Sequence, residues 1–389
     1  MNDYSVFTRG LGSATVILAV YVDDIILTGT DLEEITALKS FLHDAFKIKD
    51  LGLLHYFLGI EVLYSDHGVL LHQRKFIHDL LRDFNCSDYS SVVSPLELYE
   101  NLRCCTSDLL PKPEEYWQLL SQFMQQPCLP HVKVALHLLR NLKGTSTFGL
   151  FISSSPNLYL SAYCDSYWGA CPDSRRSVSY FSIFLSDSLI RWKTKKQPVE
   201  SLSSNEAEYR SMSKAVAEIT WVVHLLDDFG VSTASPVPLF CDNQASLHIA
   251  KNLVFHEHTK HIELDCHFVR AKLAEGLIGL SHTSSATQLD DLVTKVLSGA
   301  DHHLHLRKLG VRGERDYISL VDDVTNEKAM VPTYRRIFPS IYNIQLVQID
   351  LQFATTKLQL ASANCISHFM NKWYKLCKLI YNLLQLSCS

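Results

Sequence analysis

The chain has 389 residues, of which 47% are hydrophobic and 20% are charged, so it is long enough for two or three domains with buried cores. Its formal net charge of −5 excludes the basic overall composition that is usual for nucleic-acid-binding proteins, so a role of that kind would depend on a local basic patch. The 11 cysteines contain no Cys-x-x-Cys pair, and neither a signal peptide nor an apolar membrane span is evident, which predicts an intracellular, cytoplasmic protein with reduced thiols and no membrane partner.

The first 87 residues alternate between hairpin and helix patterns. Hairpins are predicted over 14–28 and 54–73, and amphipathic helices over 32–47 and 74–84. The first hairpin turns at two adjacent carboxylates, Asp23 and Asp24, inside an otherwise apolar run. Two such side chains repel each other unless a cation compensates, so the pair suggests a site for a divalent metal ion. Phosphoryl transfer at that site would need a third carboxylate from elsewhere in the chain.

The next segment loses this regular pattern. Residues 86–115 have no clear periodicity and contain prolines, so they are interpreted as a linker. Two helices are predicted over 116–144, with Pro127 and Pro130 between them.

Strands and helices follow one another regularly from residue 157. Strands are predicted at "LYLSAYCDSYW", "VSYFSIFLS", "LIRWKTKKQ", "VPLFCDN" and "LIGLSH". A long helix over 204–228 and three shorter helices lie between or after the later strands. This order predicts an α/β (α+β) unit with a mixed five-stranded sheet and flanking helices. Residues 299–389 contain apolar stretches that lysines interrupt, but no motif.

Two aspartates of this unit follow apolar strand sequences. Asp165 lies in the first strand and Asp242 ends the fourth, so each is carried by a core strand. Either residue alone is more often a strand-end cap or a turn former, and that alternative stays open for both. A third carboxylate, on the long helix, strengthens the case for a shared site.

The long helix begins with "SSNEAEYR", which contains two glutamates with different roles. Ser203 and Glu206 have the spacing of a capping box, so Glu206 has an ordinary structural role. Glu208 instead heads an apolar face at helical spacing that continues through Met212, Ala215, Ile219, Val222 and Leu226. A carboxylate that points toward the sheet is unfavourable unless a cation compensates its charge, although a charge at a frayed first turn is the simpler alternative.

Convergent carboxylates of this kind are the hard oxygen ligands that two magnesium ions require, and manganese would suit the same ligands. Two ions can contact both the attacking water and the leaving oxygen of a phosphodiester. The last predicted helix offers a fourth carboxylate at Asp290 or Asp291. Its apolar stripe excludes both residues, so periodicity does not choose between them.

Ten short stretches, in this order, resemble the C-terminal part of a Ty1/copia-type retrotransposon polyprotein. They are "VYVDDIILTGTD", "LHYFLGIEV", "SQFM", "LRNLKGT", "YCDSYWGACPDSRRS", "SLIRWKTKKQ", "SSNEAEYR", "CDNQASLHIA", "FHEHTKHIELDCHFVR" and "QLDDLVTK". The resemblance extends over residues 1–310. It divides the chain into a truncated reverse transcriptase palm/thumb remnant at 1–87, a degenerate connection at 88–156, a ribonuclease H-like domain at 157–298 and a divergent tail at 299–389.

The resemblance implies that the ribonuclease H-like domain cuts the RNA strand of RNA–DNA hybrids by two-metal hydrolysis. The implied metal-binding acids are Asp165, Glu208, Asp242 and Asp291. The family's last motif reads like "QLAD", so Asp290 is a departure that places a second negative charge beside Asp291.

The same resemblance places Asp23 and Asp24 on the catalytic pair of the reverse transcriptase. The family's third polymerase aspartate lies upstream on another strand that this sequence does not contain, so no polymerase activity is expected from the chain alone. A gap near 95–125 and the unmatched tail are further departures, and together they indicate a degenerate genomic copy. The alternatives are an idle remnant that at most binds nucleic acid, and a chain that pairs with another Pol fragment. A functional element would act in a virus-like particle or in the nucleus.

A local basic patch is predicted at the third strand of the unit and the turn before it. Arg191, Lys193 and Lys195 alternate along one face of that strand. The candidate nucleic-acid-binding residues are Arg175, Arg176, Arg191, Lys193, Lys195 and Lys196. A solvated strand edge, where lysines prevent aggregation, is the alternative.

Overall fold

The computed structural model describes most of the chain as far as residue 313, and a short segment of the tail. The described residues are 6–10, 15–22, 24–65, 67–96, 109–111, 113, 116, 125–155, 158–252, 260–284, 288–289, 297–313 and 344–349. Asp23, Asp290 and Asp291 lie outside them.

The described elements include the predicted hairpins and helices of the first 87 residues, whereas the helices predicted at 116–127 and 288–297 lie largely outside the described residues. The strands are β1 (Val6–Arg9), β2 (Val16–Tyr21), β3 (Asp24–Gly29), β4 (Ile48–Leu53), β5 (Tyr56–Phe57), β6 (Ile60–Ser65), β7 (Gly68–His72), β8 (Phe148–Ser153), β9 (Leu160–Tyr167), β10 (Val178–Leu185), β11 (Ser188–Lys196), β12 (Val237–Cys241), β13 (Ile278–His282), β14 (Val311–Gly313) and β15 (Gln345–Ile349). The helices are α1 (Leu32–Phe46), α2 (Arg74–Asp83), α3 (Leu129–Gly144), α4 (Ser204–Asp228), α5 (Gln244–Lys251), α6 (Glu263–Ala274) and α7 (Gly299–Lys308), with a 3-10 turn at Lys260–Ile262.

The first sheet has the strand order β1-β2-β3-β15-β4. The β2–β3 hairpin at the adjacent carboxylates is confirmed, with Tyr21 opposite Asp24. The insertion of β15 from the tail between β3 and β4, antiparallel to both, was not predicted. Leu346 packs on one face of the sheet and Val347, which is fully buried, on the other. Because both faces are covered, this strand lacks the alternation of apolar and polar residues from which a strand is predicted.

The second sheet has the order β14-β8-β7-β6-β5 and joins three parts of the sequence. β8 lies in the segment 88–156, which was predicted to be a connection, and it pairs antiparallel with β7 of the N-terminal segment. β14 comes from the residues after 298 and pairs with the other edge of β8. Helices α2 and α3 share a separate apolar cluster with the buried Tyr116.

The third sheet confirms the expected mixed five-stranded architecture. Its order is β11-β10-β9-β12-β13, in which β9, β10 and β11 are antiparallel neighbours and β12 runs parallel to both β9 and β13. Helices α4, α5 and α6 cover one face and enclose the largest buried cluster. Trp192 and Tyr180 face the opposite side, where Leu306 and Leu309 at the end of α7 pack against them.

We expect the tail strand to stabilise the first sheet specifically. Val347→Asp would place a charge where the native side chain is fully buried, so β15 would detach and leave β3 and β4 with unpaired backbone groups. Hydrogen exchange of β3 and β4 amides, followed by mass spectrometry, should then accelerate by about tenfold or more. Leu264→Asp, at a side chain that is 88% exposed, is the control and should leave exchange unchanged. Unaltered protection in the Val347 variant would contradict the assignment.

Candidate active site

Two parallel strands carry Asp165 and Asp242 to the same edge of the third sheet. β9 and β12 pair with Ala162 opposite Leu239, and each aspartate lies three residues beyond that pair along its own strand. Asp165 is only 7% exposed although it bears a carboxylate. The register therefore explains why residues 77 positions apart in the sequence come together.

Helix α4 brings the third carboxylate to this edge. The side chain of Ser203 accepts a hydrogen bond from the Glu206 N–H, which confirms the predicted N-cap. Glu206 does not bond back to Ser203: its carboxylate accepts from the Leu202 N–H at 2.7 Å and pairs with Arg210. The face headed by Glu208 packs on the sheet as predicted, and its members are buried or partly buried.

Polar bonds fix the first turns of α4 against the sheet. The Gln197 side-chain amide donates to the Ala207 carbonyl and to the Ser179 hydroxyl, each at 2.9 Å. The Ser211 hydroxyl donates to the Tyr180 carbonyl at 2.7 Å. Glu208, which lies between Ala207 and Ser211, is held rigidly as a result.

Glu208 is a buried carboxylate with too few partners for its charge. The Ser166 N–H donates to Asp165 Oδ1 at 2.7 Å and to Glu208 Oε1 at 3.1 Å, so this single donor joins the two acids. Glu208 Oε2 is buried and has no hydrogen-bond partner among the described residues. Burial, followed by the charges of Asp165, Cys241 and Asp242, raises the pKa of Glu208 to about 11.

The donor set fits a divalent cation. Ligand atoms of Glu208, Cys241 and Asp242 lie within 4.8 Å of one another, and no other group of this kind occurs in the part of the chain that the structure describes. Asp165 shares the Ser166 N–H with Glu208 and so lies at the same place. The Oε2 atom of Glu208, buried without a hydrogen-bond partner among the described residues, is an oxygen that a hard cation would neutralise.

Of the other predicted acids, the structure describes Asp24 alone. Asp291 and its neighbour Asp290 lie outside the described residues, as does Asp23 of the first hairpin. The chain just before Asp290 is attached to the site, because the Gln288 side chain donates to the Cys164 carbonyl at 2.9 Å. Asp24 is described and pairs with Gln348 of β15 in the first sheet.

Strand alternation divides the predicted basic residues into two groups. Lys193 and Lys195 lie near Lys214 of α4, whose pKa falls to about 8, mainly because it is buried and also because these two lysines are close. Lys196 points the other way and donates to the Cys171 thiol at 3.1 Å, in the loop that carries the exposed Arg175 and Arg176.

Arg191 is engaged in a different way from the other basic residues. Its guanidinium pairs with Glu218 at 2.6 Å and lies over the ring of Trp221, so both its charge and its planar face have partners within the protein. This pairing gives Arg191 a structural role beside the helix.

Several residues of the site were not found from the sequence. Gln197 and Gln288 bond backbone carbonyls around the carboxylates, and Lys214 joins the basic group, yet each lies in an unremarkable polar context. Cys241 precedes Asp242 and reads as a strand core residue. Its nearness to Glu208 could be detected only in three dimensions.

The cysteines agree only in part with the expectation of reduced thiols. Cys86, Cys164, Cys171, Cys241 and Cys266 are free. Cys128 is disulfide-bonded.

Comparisons with known proteins agree with the motifs. The family model for "Reverse transcriptase (RNA-dependent DNA polymerase)" matches residues 2–98. The retrovirus-related Pol polyproteins from transposons RE1 and RE2 of Arabidopsis thaliana are 34% and 33% identical over 331 residues, 80% of this chain. The chain belongs to the Ty1/copia-type retrotransposon Pol family. It spans 23% of the length of those two polyproteins.

Other similar proteins match parts of this Pol-family chain. An uncharacterized mitochondrial protein of Arabidopsis thaliana, AtMg00810, is 34% identical over 224 residues, which is 52% of this chain and 93% of that protein. Among solved structures, LC11-RNase H1 in complex with an RNA/DNA hybrid is 10% identical, covers 33% of this chain and 88% of its own, and has a TM-score of 0.27. An N-terminal RNase H domain from Mycobacterium tuberculosis is 10% identical, with 39% and 98% covered and a TM-score of 0.28.

None of the helices within the described ranges combines the length and the apolar character needed to cross a bilayer.

The raised pKa of Glu208 predicts a specific pH dependence of stability in metal-free protein. The folded state holds this proton more tightly than the unfolded state does. The contribution of Glu208 to the free energy of unfolding is therefore complete below pH 4.5 and is lost as the pH rises toward 11. At pH 7 the loss amounts to about 3 kcal/mol. Glu208→Gln cannot ionise, so it should unfold at higher urea concentrations than the native chain at pH 7, with the difference vanishing near pH 4.5.

Glu206→Gln is the matched control in the same helical turn. Because Glu206 pairs with Arg210 and accepts from the Leu202 N–H, its replacement should lower the free energy of unfolding. Both variants are measured by urea denaturation between pH 4.5 and 8 with a chelator present. A Glu208→Gln curve parallel to that of the native chain would contradict the burial of an ionisable carboxylate.

Proposed function

We propose that the chain is a ribonuclease H-type endoribonuclease that hydrolyses the RNA strand of RNA–DNA hybrids. The single observation that carries the proposal is the buried, incompletely bonded carboxylate of Glu208, held beside the strand-end acids Asp165 and Asp242. Such a group is not needed to begin a helix, whereas metal-assisted phosphodiester hydrolysis requires carboxylates that bind cations.

Asp165, Glu208 and Asp242 would hold the cations, with Asp291 as a fourth ligand on the family pattern. We propose two Mg²⁺ ions, with Mn²⁺ as a substitute. Bound there, the ions would act as Lewis acids and lower the pKa of water for attack on the phosphodiester. The protein's own contribution is orientation: Gln197 and Ser211 anchor the helix, and the Ser166 N–H keeps two of the carboxylates side by side.

Substrate binding would rely on the basic residues that keep exposed or partly exposed ammonium and guanidinium groups. Lys193 and Lys195 with Lys214 form one positive region, and Arg175 and Arg176 form another on the adjacent loop. Such groups contact phosphates without reading the sequence, and hybrids are distinguished by their shape and 2′-hydroxyl groups. We therefore propose RNA–DNA hybrids of any sequence as the substrate.

Asp165→Asn is expected to abolish cleavage while the protein stays folded. The purified full chain is incubated with a labelled RNA–DNA hybrid in Mg²⁺, and the variant's rate should fall by about 100-fold or more, because one cation ligand loses its charge. Asp187→Asn, in the exposed β10–β11 turn, should cleave at the native rate. If the native chain is folded by circular dichroism but does not cleave the hybrid in Mg²⁺ or in Mn²⁺, the proposal is contradicted and an idle remnant is favoured.

The two kinds of basic residue should respond differently in hybrid binding. Lys195→Gln removes one exposed phosphate contact, so the slope of log K against log salt should decrease by about one. Arg191→Gln should leave that slope unchanged and lower the free energy of unfolding, because its charge is paired with Glu218. Fluorescence anisotropy from 50 to 200 mM salt, a range suited to such slopes, measures both variants. Equal slopes for Lys195→Gln and the native chain would exclude Lys195 from the interface.

A further inference from the structure

Cys241 brings a sulfur atom into the group of carboxylates. It is the last residue of β12, its side chain is fully buried, and it lies on the strand face that packs against α4. Its Sγ atom, an oxygen of Glu208 and an oxygen of Asp242 all lie within 4.8 Å of one another. The nuclease proposed above makes no use of this sulfur.

Sulfur changes which cation such a group prefers. Thiolates bind zinc and other thiophilic ions much better than they bind magnesium, which takes oxygen ligands and keeps its water. With bond lengths of about 2.3 Å to sulfur and 2.1 Å to oxygen, tetrahedral ligands lie about 3.6 Å apart. The three ligand atoms here are at most 4.8 Å apart, so a contraction of no more than about 1 Å would give a zinc-like arrangement with one open position.

The surroundings of the three ligands favour occupation. Glu208 is more than nine-tenths buried, and its Oε2 atom has no hydrogen-bond partner in the described part of the chain. The hydrogen bond found for the Cys241 thiol is a long one, 4.0 Å to the Asn243 carbonyl. Asp242 is only partly buried, which leaves a route from solvent. A cation would give this oxygen of Glu208 the partner that it lacks.

We propose that Cys241, Glu208 and Asp242 form a mixed sulfur–oxygen site for a thiophilic divalent cation of the Zn²⁺ class. Binding releases to solvent the thiol proton of Cys241 and the proton held by Glu208, because both groups bind a cation in their ionised forms. Because the site uses two carboxylates that the proposed nuclease assigns to magnesium, such an ion would compete with Mg²⁺. Its binding does not require catalysis, so this inference and the nuclease proposal can fail independently.

Cadmium is the probe, because a Cd²⁺–thiolate bond produces an ultraviolet charge-transfer band that reports sulfur ligation directly. The full chain, kept reduced by a non-thiol reductant, is titrated with Cd²⁺ alone and then with Mg²⁺. We expect a band that excess Mg²⁺ suppresses. Cys241→Ser should remove this Mg²⁺-sensitive band and weaken Cd²⁺ binding by about tenfold or more, while Mg²⁺ raises the Tm of native chain and variant equally.

Cys164→Ser is the matched control. Cys164 is a free, fully buried cysteine on the neighbouring strand β9, and its thiol donates to the Phe240 carbonyl, so its replacement should leave the Mg²⁺-sensitive band intact. Cys171→Ser tests another free cysteine. Burial alone would raise the pKa of Cys171, but hydrogen bonds from Ser174 and Lys196 lower it to about 7. Any Cd²⁺ band from Cys171 should persist in excess Mg²⁺.

A second variant keeps the inference testable if Cys241→Ser does not fold. Asp242→Asn retains the sulfur but loses one charged oxygen ligand, so its affinity for Cd²⁺ should fall by about tenfold or more. A Mg²⁺-sensitive band that survives in Cys241→Ser would overturn the proposal, as would unchanged Cd²⁺ affinity in Asp242→Asn. If the native chain binds Cd²⁺ as expected but does not cleave the hybrid, the nuclease proposal is rejected and this inference stands.

Discussion

The burial of Glu208 beside two strand-end aspartates is the constraint on which the rest of the candidate site depends. The apolar face of α4 includes Met212, Ala215 and Ile219, all fully buried, and burying a side chain of the size of methionine or isoleucine stabilises by about 1.5–3 kcal/mol. Together these residues outweigh the roughly 3 kcal/mol that the protonation of Glu208 represents at pH 7. Hydrophobic packing therefore holds the helix in place, and the carboxylate must be neutralised there by a proton or by a cation.

The polar groups around the carboxylates explain why this arrangement is rigid. Gln197 joins β10 and α4 through two hydrogen bonds, and its own side-chain oxygen accepts from the Ser201 hydroxyl. On the other side, Asn243 donates to the Asn205 side chain, so the starts of α4 and α5 are connected next to Asp242. Each acid is thus carried by an element whose position is set independently of any ion. Such preorganisation is what charge stabilisation in a transition state requires.

Sequence reasoning succeeded where one element repeats its pattern and failed where two distant segments meet. The α4 face, the Ser203 cap, the strands bearing Asp165 and Asp242, and the mixed sheet all follow from local periodicity and chain order. β15 was not predicted because it is covered on both faces, and because its partner strands lie some 300 residues away in the sequence. The ion pair between Arg191 and Glu218 of the following helix was likewise not foreseen, because nothing in the local pattern links the two residues.

The candidate site is supported from the face opposite Glu208 by parts of the chain that the motifs did not explain. β8 pairs with β7 of the N-terminal segment, and its Ser153 N–H donates to the Ser188 hydroxyl at the start of β11. The Phe151 N–H donates to the Gly310 carbonyl, which joins β8 to the segment between α7 and β14. Leu306 and Leu309 then complete the cluster around Trp192. Because the sheet that carries Asp165 and Asp242 packs on this cluster, the N-terminal segment and the residues after 298 are structural parts of the unit that bears the site. Excising the unit at either boundary would expose the apolar face beneath the carboxylates.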